Sequence, residues 1–150
     1  MKETESNLKA VFIYNFIKYI DWDYGDVDDD FVIGVLGSTD VTEALTEIAK
    51  THTAKHKKIT IRHFNKPEEI TPCNILFISA NSGFSLPSVL ANTSKGTLTI
   101  TEEAGLAEQG AAFNFVVIKD KLKFEANVKS INAAGLKASS QLLKLAIIVD

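Results

Sequence analysis

Phe31-Val-Ile-Gly-Val-Leu-Gly37, followed at once by Ser38-Thr39-Asp40, decides the fold class. A short apolar run without alternation reads as a strand covered on both faces, as in a parallel sheet. Ser38, Thr39 and Asp40 are capping residues and open a helix that runs through about Lys50. Strand, glycine turn and helix in that order is the first piece of an α/β unit. Backbone N–H groups in this context bind phosphates. Here, however, Gly34-Val-Leu-Gly37 is not G-x-G-x-x-G, and no G-K-[ST] follows. Asp40 adds a negative charge where a phosphate would sit. The stretch reads as an ordinary strand-to-helix turn.

Downstream, Lys50 to Lys58 is basic and reads as a solvated loop. His52 and His56 are four apart with His63 beyond, but the glutamate of H-E-x-x-H is missing, so no zinc site is assigned. Ile59-Thr-Ile-Arg-His-Phe64 alternates like a half-buried strand. Asn65-Lys-Pro-Glu-Glu is a turn, and Asn74-Ile-Leu-Phe-Ile-Ser79 is a second fully buried strand. Ser79-Ala-Asn-Ser-Gly83 holds no G-x-S-x-G elbow, so a hydrolase serine has no support. A helix is expected over 84–92 with Pro87 in its first turn. Gly96 to Thr101 is a strand. A short helix is expected over 102–109, with Gly110 as its stop. Phe113 to Ile118 and Leu122 to Ala126 form a hairpin around Lys119-Asp120.

The chain closes on Asn127 to Ala146. Ile131, Ala134, Ala138, Leu142 and Leu145 recur at steps of three and four, which predicts one long helix. Asn127 caps it, and Gly135 with Ser139 offers a small pair where a neighbour comes close. Upstream, Leu8 to Trp22 is a helix that is apolar almost all round, so it is buried on more than one side. It is too short and too interrupted to span a bilayer. Asp21 to Asp30 holds six aspartates. Their spacing misses the EF-hand order, so they read as a solvated acidic loop.

These elements predict an α/β fold in three layers. The sheet is mostly parallel with an antiparallel edge hairpin, helices lie on both faces, and both terminal helices cover the sheet. No repeat or linker divides residues 1–150, so one domain is expected.

Composition narrows function by exclusion. Hydrophobic residues are 45% and charged residues 23%, a globular balance. A formal net charge of -3 gives no footprint for nucleic acid. Arg62 is the only arginine, which leaves little for bidentate phosphate recognition. Cys73 is the single cysteine, so no internal disulfide forms, and its apolar flank marks a structural thiol. Met1 to Ser6 is polar and is not a secretory signal. The chain is therefore expected to be cytosolic, or a mature chain whose signal was trimmed and a start methionine added.

Three stretches, in order, resemble the YfiR family. The first is Lys9 to Trp22, a helix ending in a tryptophan. The second is Phe31 to Gly37 with the later Cys73-Asn-Ile-Leu-Phe-Ile. The third is Gly110-Ala-Ala-Phe-Asn-Phe with Phe124-Glu-Ala-Asn127 and Gly135 to Ala146. The resemblance implies a small periplasmic α/β protein with no reaction, cofactor or metal of its own. It implies a repressor that binds the periplasmic domain of an inner-membrane diguanylate cyclase or a related sensor, and that an outer-membrane lipoprotein titrates away. The best-known member carries disulfides linked to redox control. With Cys73 alone, an internal disulfide switch is excluded here.

For a contact protein, the aromatics of the first helix are the natural anchors. Phe12, Tyr14, Tyr19 and Trp22 outnumber the places in a small core, and rings left outside bury large rigid area on a partner. The expected partner-binding set is Tyr14, Asn15, Lys18, Tyr19 and Trp22, rimmed by Lys137, Ser140 and Lys144. It meets either a partner or a second copy in a homodimer. The rival reading is a small-molecule sensor using the crevice at the strand ends, lined by Gly37, Ser38, Thr39, Asp40, Ser79 and Asn81.

Overall fold

β2 (Phe31–Leu36) is the strand from which the sheet is built, and every one of its residues is buried. In the computed structural model, which describes residues 4–22 and 30–149, it pairs in parallel with β4 (Lys57–Phe64) on one side and β5 (Ile75–Ile78) on the other. The sheet then continues through β6 (Leu98–Thr101), parallel to β5, and β7 (Phe113–Ile118), parallel to β6. β8 (Lys121–Asn127) turns back antiparallel to β7, and β10 (Ile147–Val149) adds an edge parallel to β8. At the other edge, β3 (Thr53–Ala54) pairs antiparallel with β4. The order is β10-β8-β7-β6-β5-β2-β4-β3.

Alternate residues of the central strands feed two cores. Phe31, Ile33, Val35, Ile75 and Phe77 face one side, with α1 (Glu5–Tyr19) and α2 (Asp40–Thr51) packed over them. Val32, Leu36, Leu76 and Ile78 face the other, under α3 (Leu86–Leu90) and the chain that follows β6. The three-layer α/β arrangement with a mostly parallel sheet and an antiparallel hairpin is therefore present. The caps behave as their side chains require. Thr39 accepts from Val41 N–H, Ser85 from Ser88 N–H, and Asn127 from Ser130 N–H. Lys119 and Asp120 both have positive φ, the backbone of a tight two-residue hairpin turn.

Three expectations need correction. The long closing helix does not form. Gly135 has φ of +83°, a left-handed conformation that ends α4 (Val128–Ala133). Gly96 N–H then takes the Ala134 carbonyl at 2.8 Å. The chain continues as β9 (Leu136–Ala138), which pairs antiparallel with β1 (Ile20–Trp22). Ser139 recaps a single turn, α5 (Ser140–Leu143). Leu145, assigned to the buried face of that helix, is 73% exposed. The helix over 102–109 is also absent: the segment is a series of turns, with Gly105 at φ +85° in its middle. The basic loop over 50–58 is instead the end of α2 and a hairpin turning at Lys55-His56, both with positive φ. Of the acidic run, residues 23–29 lie outside the described residues. Asp30 accepts from the Thr60 hydroxyl at 2.6 Å.

Cys73 is enclosed beside Gly34, Phe64 and Leu76. Burial pushes its thiol up to about 12. An unfolded cysteine loses its proton near about 8.5. Between those values the unfolded state binds fewer protons than the folded one, so stability falls as pH rises, by at most about 1.4 kcal/mol per unit. Urea unfolding between about pH 8 and about pH 10 is expected to show this fall relative to Cys73→Ala, measured in reductant. Parallel pH dependence of parent and variant contradicts it.

Candidate functional site

The surface of interest is carried by α1, and α1 is anchored at both ends. Near its start Lys9 is only 8% exposed. Its Nζ donates to Glu5 Oε2 at 2.7 Å and to Glu102 Oε1 at 2.6 Å. Glu102 Oε2 accepts from Ala80 N–H at 2.9 Å, so one carboxylate ties the helix to the loop after β5. Burial alone depresses the Lys9 pKa, but hydrogen bonds to Glu102 and Glu5 outweigh it and leave the ammonium above its ordinary value. The Lys9 ammonium is thus held inside the fold by its carboxylate partners, and removing them strands it.

At its far end α1 runs straight into β1. Ile20 pairs with Ala138, Asp21 with Lys137 and Trp22 with Leu136. Tyr19 C=O accepts from Ser139 N–H at 2.8 Å. Lys137 is therefore set opposite Asp21, and Ser139 against Tyr19, through strand pairing rather than through the helix-on-helix contact that periodicity implied. Lys18, Lys137, Ser140 and Lys144 are all exposed; Lys137 pairs with Asp21 across the strands. Tyr19 is 38% exposed and Leu145 stands out nearby in sequence to Lys144.

The rings at the amino end are shared between core and surface. Phe12 packs edge-on against Phe16, Phe115 and Phe124 and is partly buried. Tyr14 turns toward the β3 hairpin: its hydroxyl donates to Thr53 C=O at 3.2 Å and its ring lies 5.0 Å from His52. Lys18 Nζ sits 5.4 Å from the Tyr14 ring centre, a cation–π distance. Asn15 is exposed between them. Trp22 is half-buried and held inward. Its Nε1–H donates to Asn74 C=O at 3.1 Å, and its ring meets Phe31 edge-on at 5.2 Å. Asn74 Oδ1 in turn accepts from Val32 N–H at 2.9 Å. Trp22 is thus a wedge at the start of β2 as well as part of the surface.

The six crevice residues lie at the point where the sheet order reverses, between the ends of β2 and β5. That is where open α/β sheets form a crevice. Here the two loops clasp one another. Asn81 Nδ2 donates to Ser38 C=O at 3.4 Å, and a Cβ on Gly37 would lie 3.2 Å from that of Ser79. His63 Nε2 lies 2.9 Å from Gly37 O. Thr39 is occupied as a cap. Ser79 also borders a cavity of about 320 Å³ on the α3 side, with Ser82, Phe84, Ser85 and Glu103. Asp40 borders a different hollow, between α1 and α2. That hollow was not foreseen, although Asp40, Glu43 and Glu47 fall on one helical face in the sequence.

Among the described residues, no group of three or more His, Cys, Asp or Glu side chains is placed to hold a metal ion. Nor is any helix there long and apolar enough to cross a membrane. In comparisons with known proteins, the family model described as YfiR/HmsC-like matches residues 6–147. No curated protein matches the chain.

Proposed function

The chain belongs to the YfiR/HmsC-like family, and on that premise we propose that it is a non-enzymatic periplasmic regulator acting by protein–protein contact. Its target is the periplasmic domain of a membrane diguanylate cyclase, or a related sensor, which it restrains. An outer-membrane lipoprotein relieves that restraint by competing for the regulator. The observation that carries the reading is the exposed Tyr19 at the end of α1, where β1 pairs with β9 and sets Lys137 opposite Asp21. A tyrosine left at the surface is the residue type of an interface hot spot, and the exposed Lys137 favours an acidic partner at this end of the chain.

The test uses the purified chain and the periplasmic domain of the diguanylate cyclase from the same genome. Tyr19→Ala is expected to weaken binding by about tenfold or more, the loss of one hot-spot residue. Lys137→Glu is expected to slow association and reduce its salt dependence. Trp22→Ala is a poorer probe, because it also removes the bond to Asn74 and the packing on Phe31. Unchanged affinity for both Tyr19→Ala and Lys137→Glu overturns the surface assignment.

A second reading, a small-molecule sensor, is favoured by one feature: the hollow bordered by Ser79, Ser82, Phe84 and Glu103 at the ends of the strands. Thermal-shift measurements with nucleotides and aromatic metabolites separate the two. Stabilisation at micromolar ligand supports sensing, and a flat response removes it.

A further inference from the structure

α1 and α2 pack together over one core, and a surface hollow is left between the start of α1 and Asp40 to Ile48 of α2. It is an open groove of about 580 Å³. It exists because the residues on its floor are small. Ala10 on α1 is fully buried and offers no surface, so the accessible floor is the half-buried Ala44 of α2. Val11, 41% exposed, and the half-buried Ile48 form apolar walls. Along the α2 side run Asp40, Glu43 and Glu47, at helical positions i, i+3 and i+7, all exposed. The α1 side contributes only neutral groups, Thr4, Ser6 and Asn7, so no lysine or arginine lines the groove among the described residues. Lys50 pairs with Glu47 at 2.9 Å and also interacts with Glu43, so one cation stands against three carboxylates and the row stays net negative.

A partly exposed valine over an apolar floor is a place to seat side chains, and a one-sided carboxylate row selects what carries them. We propose that this groove docks a basic amphipathic segment of a partner protein, with aliphatic side chains against Val11, Ala44 and Ile48 and lysine or arginine on the α2 rim. The volume fits about three or four side chains and not a whole helix, so the contact is an anchored edge of the segment. The carboxylates repel an anionic membrane or a nucleic acid. Among the described residues no three carboxylates converge, so these form a rim and not a cation site. The groove is on a different part of α1 from Tyr19 and Lys137, so this surface is additional to the one proposed above and stands or falls separately.

The test uses the intact chain and a labelled 16-residue helical peptide of leucine and lysine on opposite faces, with a leucine–glutamate peptide of the same pattern as its mirror. Fluorescence anisotropy is expected to show saturable one-to-one binding of the lysine peptide, weakening as salt is raised, and none of the mirror. Two kinds of variant probe the site: the rim carboxylates are exposed, and Ala44 is half-buried against the core, so the Ala44→Leu variant is used once its thermal stability matches the parent. Glu43→Gln with Glu47→Gln removes rim charge, and Ala44→Leu fills the floor while suiting a helix. Each is expected to weaken binding by tenfold or more. Glu68→Gln with Glu108→Gln, charge-matched and exposed elsewhere, is expected to leave it unchanged. Equal binding by the parent and the Ala44→Leu variant, or equal losses in the rim and control variants, overturns the proposal. Cyclase-domain binding measured on the same variants reads the Tyr19 surface independently, so failure of one reading is not mistaken for failure of the other.

Discussion

Phe16→Ala is expected to lower the stability of this protein by about 3–5 kcal/mol, close to half of what a domain of this size usually has. The ring is 2% exposed. Its centroid lies 4.7 Å from that of Phe113, 4.9 Å from Phe124 and 6.0 Å from Phe115. Removing it deletes the ring through which α1 meets Phe113, Phe115 and Phe124 of the β7–β8 hairpin, and three neighbouring rings cannot all collapse into the space. The loss combines the transfer free energy of a benzyl group with the cavity left behind. In thermal unfolding it corresponds to a drop of about 10 °C or more. Trp22, the only tryptophan, reports unfolding through its contact with Phe31. Phe16→Leu retains most of the volume and is expected to cost clearly less. A loss under about 1 kcal/mol for the alanine variant means that α1 is not held by this cluster. Because α1 carries Tyr19 and one wall of the acidic groove, loosening it is also expected to weaken both proposed contacts.

Gly34→Val is the second substitution with a large expected effect. Gly34 sits in the middle of β2, and its backbone is ordinary. The constraint is space. A Cβ there would lie 2.7 Å from Phe64 Cε2, 3.2 Å from Cys73 Sγ and 3.3 Å from Leu76 Cδ1. All three belong to the α3-side core, and Phe64 is 5% exposed, so the ring has nowhere to swing. Valine adds two further methyl groups at the same point. Overpacking of this kind costs about 1–3 kcal/mol and sometimes more. The shift of β4 needed to relieve it also disturbs its register with β2, so the upper end is expected. Gly34→Ala is expected to fall between parent and valine, because the gain from replacing glycine in a strand, about 0.5–1 kcal/mol, offsets part of the clash. Urea midpoints for the three proteins check the order. A valine variant as stable as the parent shows that Phe64 can move aside.

Much of the fold was legible because strands buried on both faces leave an unbroken apolar run. Residues 31–36 and 75–78 could be read as parallel strands from composition alone, and the hairpin at Lys119-Asp120 followed from two apolar runs around two polar residues. The capping roles of Thr39 and Asn127 were equally local, since a side-chain oxygen needs only a free N–H two or three residues on. The closing segment was misread for a physical reason. Ile131, Ala138 and Leu142 do recur at helical steps, but the first is in α4, the second in β9 and the last in α5. A spacing of three and four is satisfied by accident when one turn, a short strand and another turn each bury one residue. Only the left-handed backbone at Gly135 separates the cases.

The candidate surfaces divide in the same way. An excess of rings on the first helix was visible in the sequence, and Tyr19 at the surface agrees with it. That Trp22 turns inward to the Asn74 carbonyl, while Lys137 arrives beside Asp21, depended on a strand pairing between residues more than a hundred positions apart. By itself the sequence determined the α/β class, the central strands and their caps, because burial on two faces and unsatisfied helix ends are local demands that a few neighbouring residues must meet. Only the tertiary structure decided where the chain breaks after Ala133, which rings remain outside, and that α1 and α2 leave a groove under a row of carboxylates. Those outcomes depend on which distant segments compete for the same space, and no residue carries that information until its neighbours are in place.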